Sequence, residues 1–144
     1  MTLYDLFVPG DPKGQPRPRA FAFHGKARVY DPGTAEHWKS QIALAFPRTI
    51  PTYSGPVTVL LHFAFKRPKG HLRRDGSVKP TADTYHTGKP DCDNAAKAVL
   101  DALTTLGAWG DDAQVARLVV AKTYANPPAV SGCAITISAL ETNR

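Results

Sequence analysis

Sulfur and long apolar runs are both scarce in this sequence. Cys92 and Cys133 are its only cysteines, and Met1 is its only methionine. Two thiols are too few to staple a small secreted scaffold, and they fall short of a four-ligand zinc cage. No apolar run approaches the roughly 18 residues of a membrane-spanning helix. The opening Met1-Thr2-Leu3-Tyr4-Asp5 has neither the basic nor the apolar region of a secretory leader. A protein of the reducing cytoplasm with no membrane partner is therefore expected. Acidic side chains are also in short supply: 12 Asp and Glu stand against 18 Lys and Arg, a formal charge of +6. An excess of this sign favours a polyanionic partner, most often nucleic acid. The 144 residues, 42% of them apolar, suffice for one buried core, so residues 1–144 are expected to form a single domain.

What is present is unevenly spread. Residues 13–39 carry six basic side chains and two acidic ones, and residues 66–89 carry seven and two. Residues 91–112 then hold five aspartates against one lysine. Carboxylates gathered in a basic, nucleic-acid-binding chain repel the partner that the rest attracts. Metal binding is one purpose that outweighs the repulsion.

Periodicity and punctuation outline the elements. Leu3 to Val8 reads as a first strand, and Ala20 to Phe23 with Ala27 to Tyr30 as a hairpin about His24-Gly25-Lys26. Trp38, Ile42 and Ala45 recur at helical spacing, predicting a helix from Ala35 to Phe46 capped by Gly33 or Thr34. Val57 to Phe65 is rich in β-branched and aromatic residues and apolar on both faces, as a central strand is. Lys66 to Lys89, broken by Pro68, Gly70, Gly76, Pro80 and Gly88, reads as a long, mobile basic loop. Val99, Leu103 and Leu106 form one stripe of a helix from Asn94 to Leu106, stopped by Gly107. Two strands follow, Val115 to Tyr124 and Cys133 to Leu140. The order predicts an α+β fold: a single domain with one mixed β-sheet packed by two main helices.

The chemistry concentrates in Asp91-Cys92-Asp93-Asn94, Lys97, and Trp109-Gly110-Asp111-Asp112-Ala113-Gln114-Val115. In an extended Asp91-Cys92-Asp93 the two carboxylates share a side and Cys92 turns into packing. Two carboxylates on one side suit Mg²⁺, which prefers hard oxygen donors. Lys97 lies one helical turn beyond Asp93, close enough to face the same cavity. A helix over 94–106 carries the chain about 20 Å, and residues 107–112 span at most about 20 Å. Asp112 therefore rejoins Asp91 only along a nearly straight return; otherwise the helix ends early or Asp112 serves a site on another subunit. A converged cluster would hold Mg²⁺, acidify a bound water and neutralise phosphate charge, with Lys97 adding positive charge at the developing phosphorane. Each residue also has a structural alternative. Asp93 is an N-cap candidate, Lys97 a partner for Asp93 or Asp101, and Asp111-Asp112 a turn before a strand.

The segment resembles the signature of the RusA family of crossover-junction (Holliday junction) endodeoxyribonucleases. The match comprises Asp91-x-Asp93-Asn94, Lys97, Asp101-Ala102-Leu103, and Trp109-x-Asp111-Asp112-x-Gln114-Val115. Gly10, Pro12, Arg17-Pro18-Arg19 and Tyr30 also resemble the opening of longer members. The resemblance implies a homodimer that binds four-way junction DNA and nicks two opposing strands symmetrically, in recombination and repair. It implies Mg²⁺ as cofactor, with Mn²⁺ as a substitute, and a bacterial or phage-infected cell as the setting, prophages included. By the same resemblance Asp91, Asp93 and Asp112 are the acidic catalytic and metal-binding residues, and Lys97 is the basic catalytic one. Asn94 and Asp111 take supporting roles at most. Cys92 stands where an aliphatic residue is usual, and the 66–89 loop is longer than in compact members, so no junction-opening residue carries over. From the charge pattern Arg17, Arg19, Lys69, Arg73, Arg74 and Lys89 are expected to contact DNA. Two alternatives remain: a restriction-type nuclease, for which the Asp93–Lys97 spacing is wrong, and a non-catalytic junction-binding protein. Trp38 and Trp109 are expected in packing, and His71 and His86 as plain loop histidines.

Overall fold

In a computed structural model the protein is described for residues 1–16, 19–30 and 33–141. Six strands and two α-helices follow one another among these residues. They are β1 (Thr2–Pro9), β2 (Arg19–Phe23), β3 (Lys26–Tyr30), α1 (Glu36–Ala45), β4 (Val57–Phe65), α2 (Cys92–Thr105), β5 (Val115–Tyr124) and β6 (Gly132–Ala139). Short 3₁₀ turns stand at Lys69–His71 and Asp112–Gln114.

Four strands make one mixed sheet in the order β1-β6-β4-β5. β1 and β4 both run antiparallel to β6, and β4 runs parallel to β5. A parallel pair needs a crossover, and α2 lies within it. The expected hairpin forms, but β2 and β3 make a separate two-stranded sheet rather than joining the main one.

β4 sits inside the sheet, as its apolar run predicts, yet only one of its faces is covered. Val57, Val59, Leu61, Phe63 and Phe65 are buried. They pack with Trp38 and Ile42 of α1, Ala95, Val99 and Leu103 of α2, and Ile135 and Ile137 of β6. On the other face the register sets Leu60 beside Val119, while Phe7 stands on β1 in the row of His62, and all three apolar side chains are exposed.

Both helices start away from the predicted residues. α1 begins at Glu36 with Ala35 at its N-cap and no side-chain cap. α2 begins at Cys92, so Asp91 rather than Asp93 occupies the N-cap. Its end is as predicted. Gly107 has φ 83°, and the amides of Gly107 and Ala108 bond back to the carbonyls of Thr104 and Leu103 at 3.1 and 3.0 Å. A side chain is strained at that φ, so glycine fits this helix stop.

The 66–89 stretch is not a free loop. The Arg73 and Lys79 amides bond to the carbonyls of Ser77 and His71, and Leu72 bridges Val78. Further on, the His86 and Tyr124 amides bond to the carbonyls of Lys122 and Thr84, laying residues 84–86 along the end of β5. Its anchor is Arg67, which is only 8% exposed. The guanidinium donates to the Asn126 side-chain oxygen, to His71 Nδ1 and to the Asp83 carbonyl at 3.0, 3.0 and 2.7 Å. It also lies 5.3 Å from the centre of the Tyr124 ring. This cation of the basic stretch is turned inward.

Candidate active site

The signature splits into two parts at opposite ends of α2. At its N-terminal end Asp91 has the extended backbone of an N-cap, φ −66° and ψ 159°, but its carboxylate accepts no capping bond. Asp93 lies in the first helical turn, and Asp91 and Asp93 are both exposed. Neither carboxylate has a hydrogen bond or ion pair among the described residues. Cys92 is exposed, not packed as the extended reading expected. The helix starts one residue after Asp91, so the two-residue alternation of a strand does not apply. Lys97, one turn on, reaches Asp101 at 3.4 Å, the structural alternative foreseen for it. Its side chain is 61% exposed, which holds such a pair to a few tenths of a kcal/mol at most. The ammonium is thus lightly tethered.

Two features that sequence reasoning missed hold the Asp91 end in place. Lys122 of β5 donates from Nζ to the carbonyls of Gly88 and Pro90, both at 2.7 Å. Pro90 is the residue before Asp91, so the strand end grips the chain just before the candidate site. His86 stacks on Phe65 with ring centres 3.8 Å apart and lies 3.4 Å from the Lys122 ammonium. Burial and then the Lys122 charge push the His86 pKa below its usual value. Only the position of Lys122, a cation after the apolar run Leu118–Ala121, hinted at its role. Across the helix start, the Gln15 amide bonds to the Asn94 carbonyl at 3.2 Å. Gly14 makes that approach possible, because a β-carbon there would collide with the Asn94 side chain.

At the other end the motif is occupied with the fold. Trp109 is 1% exposed, and its indole N–H donates to Thr104 Oγ1 at 2.7 Å. Gln114 donates to the carbonyls of Tyr53 and Gly55, both at 2.9 Å, and accepts from the amides of Gly110 and Asp111 at 2.9 and 3.2 Å. Asp111 accepts from the Ala113 amide at 2.8 Å and closes a capping box with Gln114. Asp112 alone among these polar residues is exposed with no partner among the described residues.

Asp112 does not join the other two aspartates within one chain. It precedes the start of β5, whereas Lys122, seven residues after Val115, touches the Pro90 carbonyl. Seven strand residues cover about 23 Å. No group of three His, Cys, Asp or Glu side chains able to hold a metal ion occurs among the described residues. Asp91 and Asp93 offer two exposed, unpaired carboxylates, a donor set that suits Mg²⁺ with water and phosphate as its further ligands.

Of the expected DNA contacts, Lys69, Arg73, Arg74 and Lys89 are exposed on the 66–89 segment. Arg17 lies outside the described residues, and for Arg19 only the backbone, in β2, is described. No helix among the described residues is long and apolar enough to cross a membrane.

A small α+β domain with paired, unpartnered carboxylates at a helix start and exposed cations beside them has the makings of a phosphodiesterase acting on nucleic acid. The family model of endodeoxyribonuclease RusA matches residues 9–137, so the chain belongs to the RusA endodeoxyribonuclease family, whose substrate is DNA. A protein of Bacillus subtilis (strain 168), described as the uncharacterized protein YqaN, is 34% identical over 142 residues. That match covers 90% of this chain and 94% of the relative.

Proposed function

We propose that the protein is a Mg²⁺-dependent resolvase of four-way DNA junctions that nicks two opposing strands from a two-fold dimer. One observation carries this reading. Within the signature, Trp109, Asp111 and Gln114 are spent on the fold, while the carboxylates of Asp91, Asp93 and Asp112 have no partner among the described residues. Three unpartnered carboxylates in a basic chain are costly to DNA binding unless a cation uses them.

Asp91 and Asp93 would hold the metal, and Asp112 would reach it from the second subunit. When bound, Mg²⁺ supplies a Lewis acid at the phosphate and a more acidic water. Lys97 then neutralises charge on the phosphate, released from its weak pairing with Asp101. Lys69, Arg73, Arg74 and Lys89, with Arg17 and Arg19, serve the junction arms. Assembly in trans is supported by β5. It is an edge strand of the sheet, and among the described residues only its last ones are covered, by 84–86. Two such edges set side by side and antiparallel about a two-fold would carry the Asp112 end of one subunit to the Asp91 end of the other. Exposed Leu60 and Val119, paired on β4 and β5, offer apolar surface beside the same edge. A two-fold enzyme also suits a junction that is itself roughly two-fold. The cytoplasm of a bacterial or phage-infected cell is the setting.

The test is cleavage of a labelled four-way junction, beside linear duplex of the same arms, in Mg²⁺ and in EDTA. Paired symmetric nicks that need the metal and vanish in Asp91→Asn are the expected result. Mixing Asp91→Asn with Asp112→Asn subunits then decides the assembly. A site shared between subunits regains one intact centre per mixed dimer and nicks one strand. A site within one chain regains none. Tight junction binding without nicks in any metal, unchanged in Asp91→Asn, would leave a non-catalytic binding protein.

A further inference from the structure

Beside the Asp91 end of α2 lies a cleft of about 550 Å³ whose role the paired carboxylates do not explain. The 11–16 segment forms one wall, and Phe65, Lys66, His86, Lys89 and Pro90 line much of the remainder. Its volume is that of a small-ligand site, roughly 300–1,000 Å³, and far too small to admit a duplex.

Its chemistry is mixed in a particular way. Lys66 and Lys89 are exposed cations with no ion pair among the described residues, whereas Lys13 is held by Asp11 at 3.0 Å. Unpaired lysines on a wall are suited to phosphate oxygens. The Gln15 side-chain oxygen is buried and has no hydrogen-bond partner among the described residues. A buried acceptor left unmet costs about 1–3 kcal/mol, so the side chain gains by turning outward into the cleft to meet an incoming N–H donor. The His86 ring, backed by Phe65 at 3.8 Å, presents a flat face of the kind on which bases stack. Phosphate, donor edge and flat ring together describe one nucleotide.

We propose that this cleft holds one unpaired nucleotide of the DNA strand to be cut, immediately beside the scissile phosphate. On the resolvase reading above, the strand leaves the double helix at this cleft, and the residues lining it read the base. Pro90 and Asn94 line the cleft on either side of Asp91 and Asp93 in sequence, so a nucleotide seated there has its neighbouring phosphate at the carboxylates. Lys66 and Lys89 take its backbone, His86 takes its face, and Gln15 accepts from its base edge. The crossover of a junction is where unpairing one base costs least, since stacking is already interrupted there.

Photocrosslinking tests this directly. Four-way junctions carrying 4-thiothymidine at single positions around the crossover are bound to the Asp91→Asn protein, irradiated, and the attached peptides mapped by mass spectrometry. One position beside the cut is expected to attach within residues 11–16 or 84–90, and the same position in linear duplex is not. Gln15→Trp, which fills the cleft, should lower that yield at least fivefold while the melting temperature stays near that of the parent. Lys66→Ala with Lys89→Ala should lower it as well and reduce the salt slope of junction binding by about 1 or more. Attachment at every position to residues outside the cleft overturns the proposal, as does a yield that Gln15→Trp leaves unchanged. The two readings fail separately. Attachment in the cleft by a protein that never nicks keeps the nucleotide site and removes the resolvase. Metal-dependent nicking with no attachment there does the reverse.

Discussion

The two halves of the signature differ in what their polar groups touch. From Trp109 to Gln114 nearly every side chain is bonded into the fold, and Gln114 alone makes four hydrogen bonds. From Asp91 to Lys97 the charged groups are exposed and all but unengaged. A motif read as one string of letters is thus a scaffold at one end of α2 and a reactive surface at the other. Asp112 is the exception that gives the scaffold end a share in the chemistry.

Substitution should separate the halves. Asp91→Asn is expected to cut junction cleavage by about a thousandfold or more, the loss of roughly 4 kcal/mol of metal-borne stabilisation. Its melting temperature should stay within about 2 °C of the parent, as for other exposed sites without partners. A large loss of stability instead would mean that Asp91 belongs with the scaffold. Gln114→Ala should behave oppositely. Loss of its bonds leaves the Tyr53 and Gly55 carbonyls and two amides unmet, a cost of roughly 2–4 kcal/mol. Calorimetry should read this as a fall of about 6–14 °C. The protein that remains folded should cleave within severalfold of the parent; full inactivity without loss of stability breaks the comparison.

Two smaller effects follow. The His86 pKa is lowered in the fold from an ordinary value of 6.5, so the unfolded chain binds the proton more readily. Stability is therefore fully present above about pH 6.5 and declines as the pH falls below it, through the folded pKa. Melting curves from pH 8 to pH 5 should show this decline lessened in His86→Gln. The smallest effect concerns the thiols. Burial pushes the Cys133 pKa up to about 12, whereas Cys92 is exposed. A thiol reagent at pH 8 should label Cys92 quickly and Cys133 only after unfolding. Fast labelling of both would mean that the core around β6 opens easily.

Local pattern carried most of the fold. β4 matches its expected bounds of Val57 and Phe65, because a run of β-branched and aromatic residues has few other uses. The Gly107 stop is equally local. What escaped depends on partners far away in sequence. Arg67 looks like one more cation of a DNA-binding loop, and only Asn126, 59 residues on, shows that it is buried. Lys122 meets carbonyls 32 and 34 residues earlier. The start of α2 slipped because an aspartate at either position suits an N-cap. For the candidate site, the residue types and their spacing were legible. The distance between Asp112 and Asp91 was not, since it depends on where β5 lies against α2.

Strand β5 has a consequence for how such chains can vary. At one end Gln114 is fixed to the Tyr53 and Gly55 carbonyls, and at the other Lys122 is fixed to those of Gly88 and Pro90. In between, each residue is paired in register with β4, apart from one irregularity at Val57–Thr58. Inserting or deleting one residue here would turn every later side chain to the opposite face, Lys122 among them. Relatives can exchange side chains along this strand, but they cannot change its length without losing one of its two moorings. Length changes belong instead in the 66–89 segment, whose turns lie outside the sheet.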